Sequence, residues 1–353
     1  MSQKRAATAE QVARLAGVSR SAVSRAFTEG ASISPATRAK VSRAARKLGY
    51  RPNLFARSLK TRRSNIVGLA VTALDNQFYP GFVQRMSEVA STAGYRLLLF
   101  ITHGIEGPDP LLEELLKYRL DALILASSSV SSKLAEECRD AGVPVVMFNN
   151  VDPDSNITTV TSADALGART IARFLMAAGH RRFGYISGMD ADSSSYVRGT
   201  VFTDTLIGAG LPAPARAAGN FSFDGACEAT RTLLRQPDAP DAIFCINDQM
   251  AFAALQVARH EFALQPGTDL SIVGFDSAPI GAWPSFGLTS YSQPTERLVA
   301  RIVELVSLSL AQQLPRDVHE VIPGELMVRS SARLPATGLL ELADGQRVWR
   351  DPG

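Results

Sequence analysis

Cysteines are few, long apolar runs are missing, and the first sixty residues hold almost no acidic groups. Cys138, Cys227 and Cys245 stand far apart among 353 residues. An odd, scattered set excludes a disulfide scaffold and a paired metal clip, and it suits a reducing compartment. The longest apolar runs, at residues 66–74 and 97–102, are far shorter than the ~18–20 residues of a membrane helix. The basic residues at the start lead into no apolar stretch, so no secretory signal is expected. His103, His180, His260 and His319 lie at no metal-ligand spacing, and no GxSxG, P-loop or HExxH string occurs. No enzyme, metal or cofactor is therefore expected.

What is present divides sharply. Net charge is +3, yet residues 1–63 hold 15 of the 37 Lys and Arg and only 2 of the 34 Asp and Glu. That head carries a surplus of 13 positive charges, and the rest of the chain an excess of 10 negative ones. A basic head on an acidic body is the pattern of a polyanion-binding module joined to a soluble partner domain. The head is not a solvated tail, because Val12, Leu15, Val18, Val23, Phe27, Ile33, Val41 and Leu48 recur at helical spacing.

Start and stop signals predict three helices there. Thr8 and Gln11 form a capping box for a helix over 9–16, and Gly17 suits the turn that follows. Ser19 caps a second helix over 20–27; Ser34 and Pro35 open a third, which Gly49 closes. The spacing of Ala13, Gly17 and Val23 fits a helix-turn-helix: a small residue at the crossing, glycine in the tight turn, a β-branched anchor. Arg20, Ser21, Ser24 and Arg25 project away from the Val23 face. Arginine suits guanine edges and hydroxyls suit phosphate oxygens, while a merely solvated charged face is the plainer alternative.

Residues 8–27 (TAEQVARLAGVSRSAVSRAF), 34–38 (SPATR), 48–53 (LGYRPN) and 56–60 (ARSLK) closely resemble the headpiece of the lactose-repressor/galactose-repressor (LacI/GalR) family. The motifs stand in that family's order and spacing; Ala26, Phe27 and Thr28 depart from it at a helix end. The resemblance implies that Arg20 and Ser21 read bases and that Arg25 meets base edges or backbone. It gives Ser19, Ser24 and Asn53 backbone contacts. It also implies a hinge helix over 53–60 that forms on operator, with Leu59 as an apolar wedge in the minor groove and Lys60 among the DNA-binding residues. Taken alone, Leu59 equally suits packing.

Beyond the head, apolar runs at 66–72, 97–102, 122–126, 144–149, 183–187, 242–246 and 272–275 alternate with helical stretches at 82–93, 111–117, 132–141, 167–178 and 202–209. Such alternation predicts parallel sheets covered on both faces, and the length predicts two lobes. DNQFY (75–79), GVPVV (142–146), NDQMA (247–251) and SIVGFD (271–276) resemble the effector-binding core of the same family, itself similar to periplasmic sugar-binding proteins. The expected fold is an N-terminal all-α helix-turn-helix headpiece plus an α/β periplasmic-binding-protein-like core of two Rossmann-like lobes. The expected divisions are 1–52 for the head, 53–63 for the hinge, 64–337 for the effector-binding and dimerisation domain, and 338–353 for a tail. Within the core, lobe 1 takes about 64–162 and 293–324, and lobe 2 about 163–292 and 325–337. The tail shows no heptads, so a homodimer is expected rather than the tetramer of the lactose repressor.

Ligands of open α/β sheets bind at the carboxyl ends of strands. Phe78, Tyr79, Asn149, Asn247 and Asp276 follow such ends. By resemblance, Arg198 grips effector hydroxyls or carboxylate, Phe221 stacks on the ligand and Gln293 is a cleft amide. Amides, carboxylates, a bidentate arginine and an aromatic face suit a hydroxyl-rich ligand. Plainer roles stay open: caps for Asn247 and Asp276, an ion pair for Arg198, packing for Tyr79, Phe221 and Asn149. Ala163 and Asp164 replace the family's usual Asp-Asn, which puts that hinge contact in question, and residues 193–196 are polar and pocket-facing by position. A GxGxxA string at 208–213 follows a helix and contains Pro212, so it is no dinucleotide fingerprint.

The sequence thus predicts a cytoplasmic, sequence-specific DNA-binding regulator, a repressor, that binds a palindromic double-stranded operator as a homodimer. A small-molecule effector, a sugar or sugar derivative, controls it, and no membrane is involved. The alternative is a periplasmic-type solute-binding protein of the same core fold, which needs a signal peptide where the basic head stands.

Overall fold

Hydroxyl groups start the helices of the head. The Thr8 side chain accepts from the Gln11 amide, and the Gln11 side chain accepts in return from the Thr8 amide at 2.9 Å, which opens α1 (Ala9–Ala16). Gly17 ends it at φ +65°, a conformation that side chains with a Cβ rarely adopt. Ser19 caps α2 (Arg20–Ala26) and Ser34 caps α3 (Pro35–Leu48). Val12, Ala13, Val23, Ala26, Val41, Ala44 and Ala45 form the buried core of the three helices. The second helix stops at Ala26, one residue before the predicted end. Phe27 is its C-cap, with its ring 5.9 Å from that of Tyr50.

The computed structural model describes residues 7–27, 31–51, 63–71, 74–101, 115, 117–126, 132–149, 157–190, 192–313 and 318–352. The chain divides into two compact units, Met1–Ser64 and Asn65–Gly353. The predicted hinge helix with Asn53, Leu59 and Lys60 lies outside the described residues.

The second unit is built on two sheets. The first joins β1 (Ile66–Val71), β2 (Arg96–Ile101), β3 (Ala122–Ala126), β4 (Val145–Phe148), β5 (Thr158–Ser162) and β11 (His319–Ile322). Their order is β11-β5-β4-β3-β1-β2, and every pair is parallel. Helices α4 (Phe78–Thr92) and α5 (Ser132–Asp140) belong to this lobe. The second sheet joins β6 (Phe183–Ser187), β7 (Ala215–Ala218), β8 (Ala242–Cys245), β9 (Ser271–Asp276), β10 (Thr289–Ser292), β12 (Leu326–Met327), β13 (Leu339–Glu341) and β14 (Arg347–Trp349). Its order is β13-β14-β12-β10-β9-β8-β6-β7. With it go α6 (Asp164–Ala177), α7 (Ser193–Gly208), α8 (Phe223–Leu234) and α9 (Asp248–Glu261).

The chain passes between the lobes three times. β5 of the first sheet leads at Ser162 into α6 of the second lobe. β10 leads back into α10 (Thr295–Leu310), whose Leu298, Val299 and Ile302 pack in the core of the first. β11 then leads to β12 of the second sheet. All three passages lie at the carboxyl ends of parallel strands, where ligands of such sheets bind.

Beyond small shifts of helix ends, the structure departs from the sequence-based expectation at a buried strand, at one helix start and in the tail. Thr158–Ser162 (TTVTS) is a fully buried strand, although it has no apolar run, because β-branched threonine fits a pleated interior and its hydroxyl is satisfied there. The helix expected over 202–209 begins at Ser193, because the Asp192 carboxylate accepts from the Ser195 amide and starts it nine residues earlier. The expected tail is corrected: residues after 337 belong to the second lobe. Leu339 and Leu340 pair with Trp349 and Val348, and β14 pairs with β12. Trp349 is buried against Phe174, its indole N–H donating to the Thr337 carbonyl, and Asp351 pairs with Arg173. These strands are three residues long and turn at Gly345, too short to show a period. Among the described residues no helix is long and apolar enough to cross a membrane, and no cluster of His, Cys, Asp or Glu is arranged to hold a metal ion.

Candidate functional site

In the head, α2 turns Val23 and Ala26 into the core and leaves Arg20, Ser21, Ser24 and Arg25 exposed on the opposite side. Ser19 Oγ accepts from the Ala22 amide at 3.2 Å and lies 2.9 Å from Ser21 Oγ, so this hydroxyl caps the helix and remains at the surface. Arg38 of α3 donates to the carbonyls of Ala26, at 3.0 Å, and Ala31, and so ties down the carboxyl end of α2. Its positive charge also complements that end of the helix dipole. The result is a short, braced helix offering two guanidinium groups and three hydroxyls outward, a chemistry matched to the edges and phosphates of a major groove.

In the body, Asn149, Gln293, Asp276 and Arg198 come together as a buried chain of polar groups. Asn149 Nδ2 donates to Gln293 Oε1 at 2.9 Å, and Gln293 Nε2 donates to Asp276 Oδ1 at 2.6 Å. Arg198 lies 3.8 Å from Asp276, donates to the Ile246 carbonyl at 2.7 Å, and pairs with Asp164 through two nitrogens at 2.9 and 3.0 Å. Its guanidinium carbon sits 3.6 Å from the centroid of the Phe275 ring, a cation–π contact. Ser162 Oγ donates to Asp164 Oδ1, and the Ser162 amide to Asn149 Oδ1. The chain of contacts therefore runs from the first lobe to the second at two of the three passages between them. Ala163-Asp164 does make a hinge contact, with Asp164 as the partner of Arg198.

Burial disfavours the Arg198 charge, but Asp164, Asp276 and Asp192 outweigh it and hold the guanidinium protonated. Burial pushes Asp276 above the usual carboxylate range, against the pull of Arg198 and of hydrogen bonds from Gln293 and Asn76. Asp248 is raised further, first by burial and then by the charge of Asp276. It accepts from Ser290 Oγ at 2.5 Å and from the Ala278 amide at 2.7 Å. Gly274 makes this possible, since a Cβ there would stand 2.3 Å from Asp248 Oδ1.

Asn149, Phe221 and Asp276 adopt positive φ values of 57°, 54° and 118°. Non-glycine residues rarely do so, and held strain of this kind clusters at binding sites. Phe221 stands over Gly188, where any Cβ would fall 2.3 Å from its ring, and rests on the core of the second lobe. Asn247 Oδ1 caps α9 by accepting from the Met250 amide at 2.9 Å. Phe78 is core, stacked on Phe82 and Phe148 at 5.7 and 6.1 Å, and Tyr79 packs edge-on beside it. Tyr196 is 68% exposed and, with Ser195, lines a surface pocket that Tyr185, Asp190 and Arg216 also border. His180, at the end of α6, is fully buried with Nε2 2.7 Å from Ser271 Oγ; burial lowers its pKa, so it serves as a neutral hydrogen-bonding group and not as a charge on the helix dipole. Sequence reasoning put Asp164 in question and missed Asp192, Asn76 and the pair Asp75–Gln249, which joins the lobes at 3.2 Å. The Asp-Asn pair at 75–76, directly after the first strand, was the available clue.

A helix-turn-helix unit with an exposed polar helix face, carried on the same chain as two α/β lobes sharing a buried polar seam, defines a DNA-binding head with a ligand-binding-type core. Residues 8–53 match the model for bacterial regulatory proteins of the lacI family, and residues 172–332 match the periplasmic binding protein-like domain. The chain is 31% identical to the ribose operon repressor of Escherichia coli (strain K12), over 92% of this chain and 100% of that protein. Its structure is similar to that of a CelR–cellobiose complex, with TM-score 0.69, 29% identity, and coverage of 92% of this chain and 100% of that one. It shares the fold of the Lac repressor dimer bound to operator and the anti-inducer ONPF, with TM-score 0.82, 24% identity and coverage of 93% and 100%. The chain belongs to the lacI family of bacterial regulatory proteins. It is a DNA-binding regulator of transcription, not an enzyme.

Proposed function

We propose that this regulator is a cytoplasmic repressor that binds a palindromic operator as a homodimer and responds to a carbohydrate-class effector held between its two lobes. The observation that carries the reading is the buried chain Asn149–Gln293–Asp276–Arg198–Asp164, which joins the lobes where the backbone passes between them. A ligand that takes over any of these hydrogen bonds changes how the lobes are held. Two heads would place Arg20 and Ser21 on base edges of adjacent major grooves, with Arg25 on base edges or backbone and Ser19 and Ser24 on the backbone. The segment 53–60 would form the hinge helix, with Asn53 and Lys60 on phosphates and Leu59 between base pairs. Effector and operator then influence each other's affinity by the same factor. Two of the similar proteins bear sugar names, a ribose operon repressor and a cellobiose complex.

The test is fluorescence anisotropy of the full chain on palindromic duplexes selected from a random pool, with and without ribose, cellobiose and related sugars. Affinity should fall steeply with salt while sequence preference survives, because phosphate contacts release counterions and base contacts do not. At least one sugar should shift duplex affinity. A flat salt response without preference sinks the DNA half, and an unshifted affinity across the sugars sinks the effector half.

A further inference from the structure

The three passages between the lobes meet at one side chain. Tyr291 stands in β10, just before the second passage, and is 1% exposed. Its hydroxyl accepts from the amide of Gly324, in the third passage, at 3.2 Å. Its ring lies against Gly167 in the first turn of α6, directly after the first passage: a Cβ at 167 would stand 2.6 Å from Tyr291 Cδ1. Gly167 in turn donates to the Ala163 carbonyl at 2.8 Å. The charge of Asp164 reaches the same tyrosine.

Neither glycine has room for a side chain. At Gly324 a Cβ would fall 1.8 Å from the Ser292 carbonyl oxygen, and at Gly167 it would also fall 2.5 Å from the Phe275 ring. Glycine within a helix costs stability relative to alanine, and at 167 it permits this close approach. The second and third passages are laced as well. The Ser292 amide donates to the Glu325 carbonyl at 2.8 Å, and the Glu325 amide to Ser292 Oγ at 2.9 Å.

Tyr291 also connects to the candidate site. Its ring centroid is 5.1 Å from that of Phe275, and Phe275 carries the Arg198 guanidinium 3.6 Å from its own centroid. One buried ring therefore has the passages on one side and, through Phe275, Arg198 on the other. Close-packed interiors switch between discrete arrangements rather than deform smoothly, and the backbone turns at a few residues around parts that stay fixed.

We propose that Tyr291 is the pivot on which the two lobes turn, its ring and hydroxyl setting the positions of all three passages at once. It is a positioning residue that acts on Arg198 through Phe275. This rests on the proposal that an effector between the lobes changes how they are held.

Hydrogen–deuterium exchange of the full chain, read by mass spectrometry, tests the pivot without any ligand. Tyr291→Phe keeps the ring and deletes only the hydroxyl that Gly324 uses. Exchange at residues 324–325 should quicken about three- to tenfold, and so should exchange at the other two passages, 163–167 and 292–293. Gly324→Ala, which sets a methyl against the Ser292 carbonyl, should act in the same three places and more strongly. Circular dichroism checks that both variants are folded, and Tyr291→Phe decides alone if Gly324→Ala is not. A change confined to 324–325, as a purely local role requires, or no change at all overturns the proposal. Anisotropy on a selected duplex separates the pivot from the reading beneath it. For a sugar that shifts duplex affinity in the parent, Tyr291→Phe should cut the factor of that shift at least about threefold, and an undiminished shift overturns the pivot. If no sugar shifts the parent, the effector reading fails and the exchange pattern decides the pivot by itself.

Discussion

The head and the body hold their functional side chains in opposite ways. In the head, Arg20, Ser21, Ser24 and Arg25 stand exposed on a helix kept in place by other groups: Val23, Ala26, the caps at Thr8 and Ser19, and the brace from Arg38. In the body, Arg198, Asp276, Asn149 and Gln293 are buried and are one another's partners. In the first unit the exposed candidate DNA-binding residues are therefore a separate set from those that hold the fold. In the second, the candidate ligand site is also the seam of the structure, so binding chemistry and stability are one set of contacts.

The largest effect that would break or sharpen this contrast is on Arg198. Arg198→Ala leaves Asp164 and Asp276 buried without their counter-charge, and removing one partner of a buried pair costs about 3–5 kcal/mol. Urea unfolding of the body should register that loss. A change below about 1 kcal/mol would show that the polar seam does not hold the lobes.

Arg20→Ala should behave in the opposite sense. Operator affinity should fall about tenfold, close to 1.4 kcal/mol, and discrimination at one base pair should relax. The melting transition should stay put, since the side chain is exposed on α2 and supports no core residue. Lost stability would contradict the separability of the head.

The smallest effect is a slope. Asp248 titrates above the usual carboxylate range because burial and Asp276 oppose its charge. A group raised in this way contributes stability that is complete below the pKa of the unfolded chain, about 4, and that is lost as pH rises through the folded value. Asp248→Asn should abolish its share, so the stability of the parent relative to the variant should decline from about pH 4 upward. A difference independent of pH would place the titration elsewhere.

Much of the head was legible because its determinants are local. Thr8 with Gln11, Gly17, Ser19 and Gly49 each act within one turn of helix, and they form the caps and turns that their residue types imply. The alternation of the body was legible for a related reason: strands buried on both faces read as continuous apolar runs. Where that reason failed, the reading failed. Thr158–Ser162 is interior strand made of threonine and serine, and Arg347–Trp349 is too short to show a pattern. Arg198, Asp276, Gln293 and Asn149 were marked one at a time from their motifs. Their mutual hydrogen bonds were not, since sequence separations such as 144 residues carry no local trace.

The sequence by itself determined the basic head and acidic body, the three capped helices, the exposed polar face of α2 and the α/β alternation, all of which follow from composition, spacing and short-range backbone chemistry. Only the tertiary structure decided that Asp164 engages Arg198, that Tyr291 meets Gly167 and Gly324, that Phe78 is core, and that the last strands complete the second sheet. Those outcomes depend on which buried groups find a partner once two sheets and three passages of chain meet. Pairing in a dry interior is a property of the assembled whole, not of any segment.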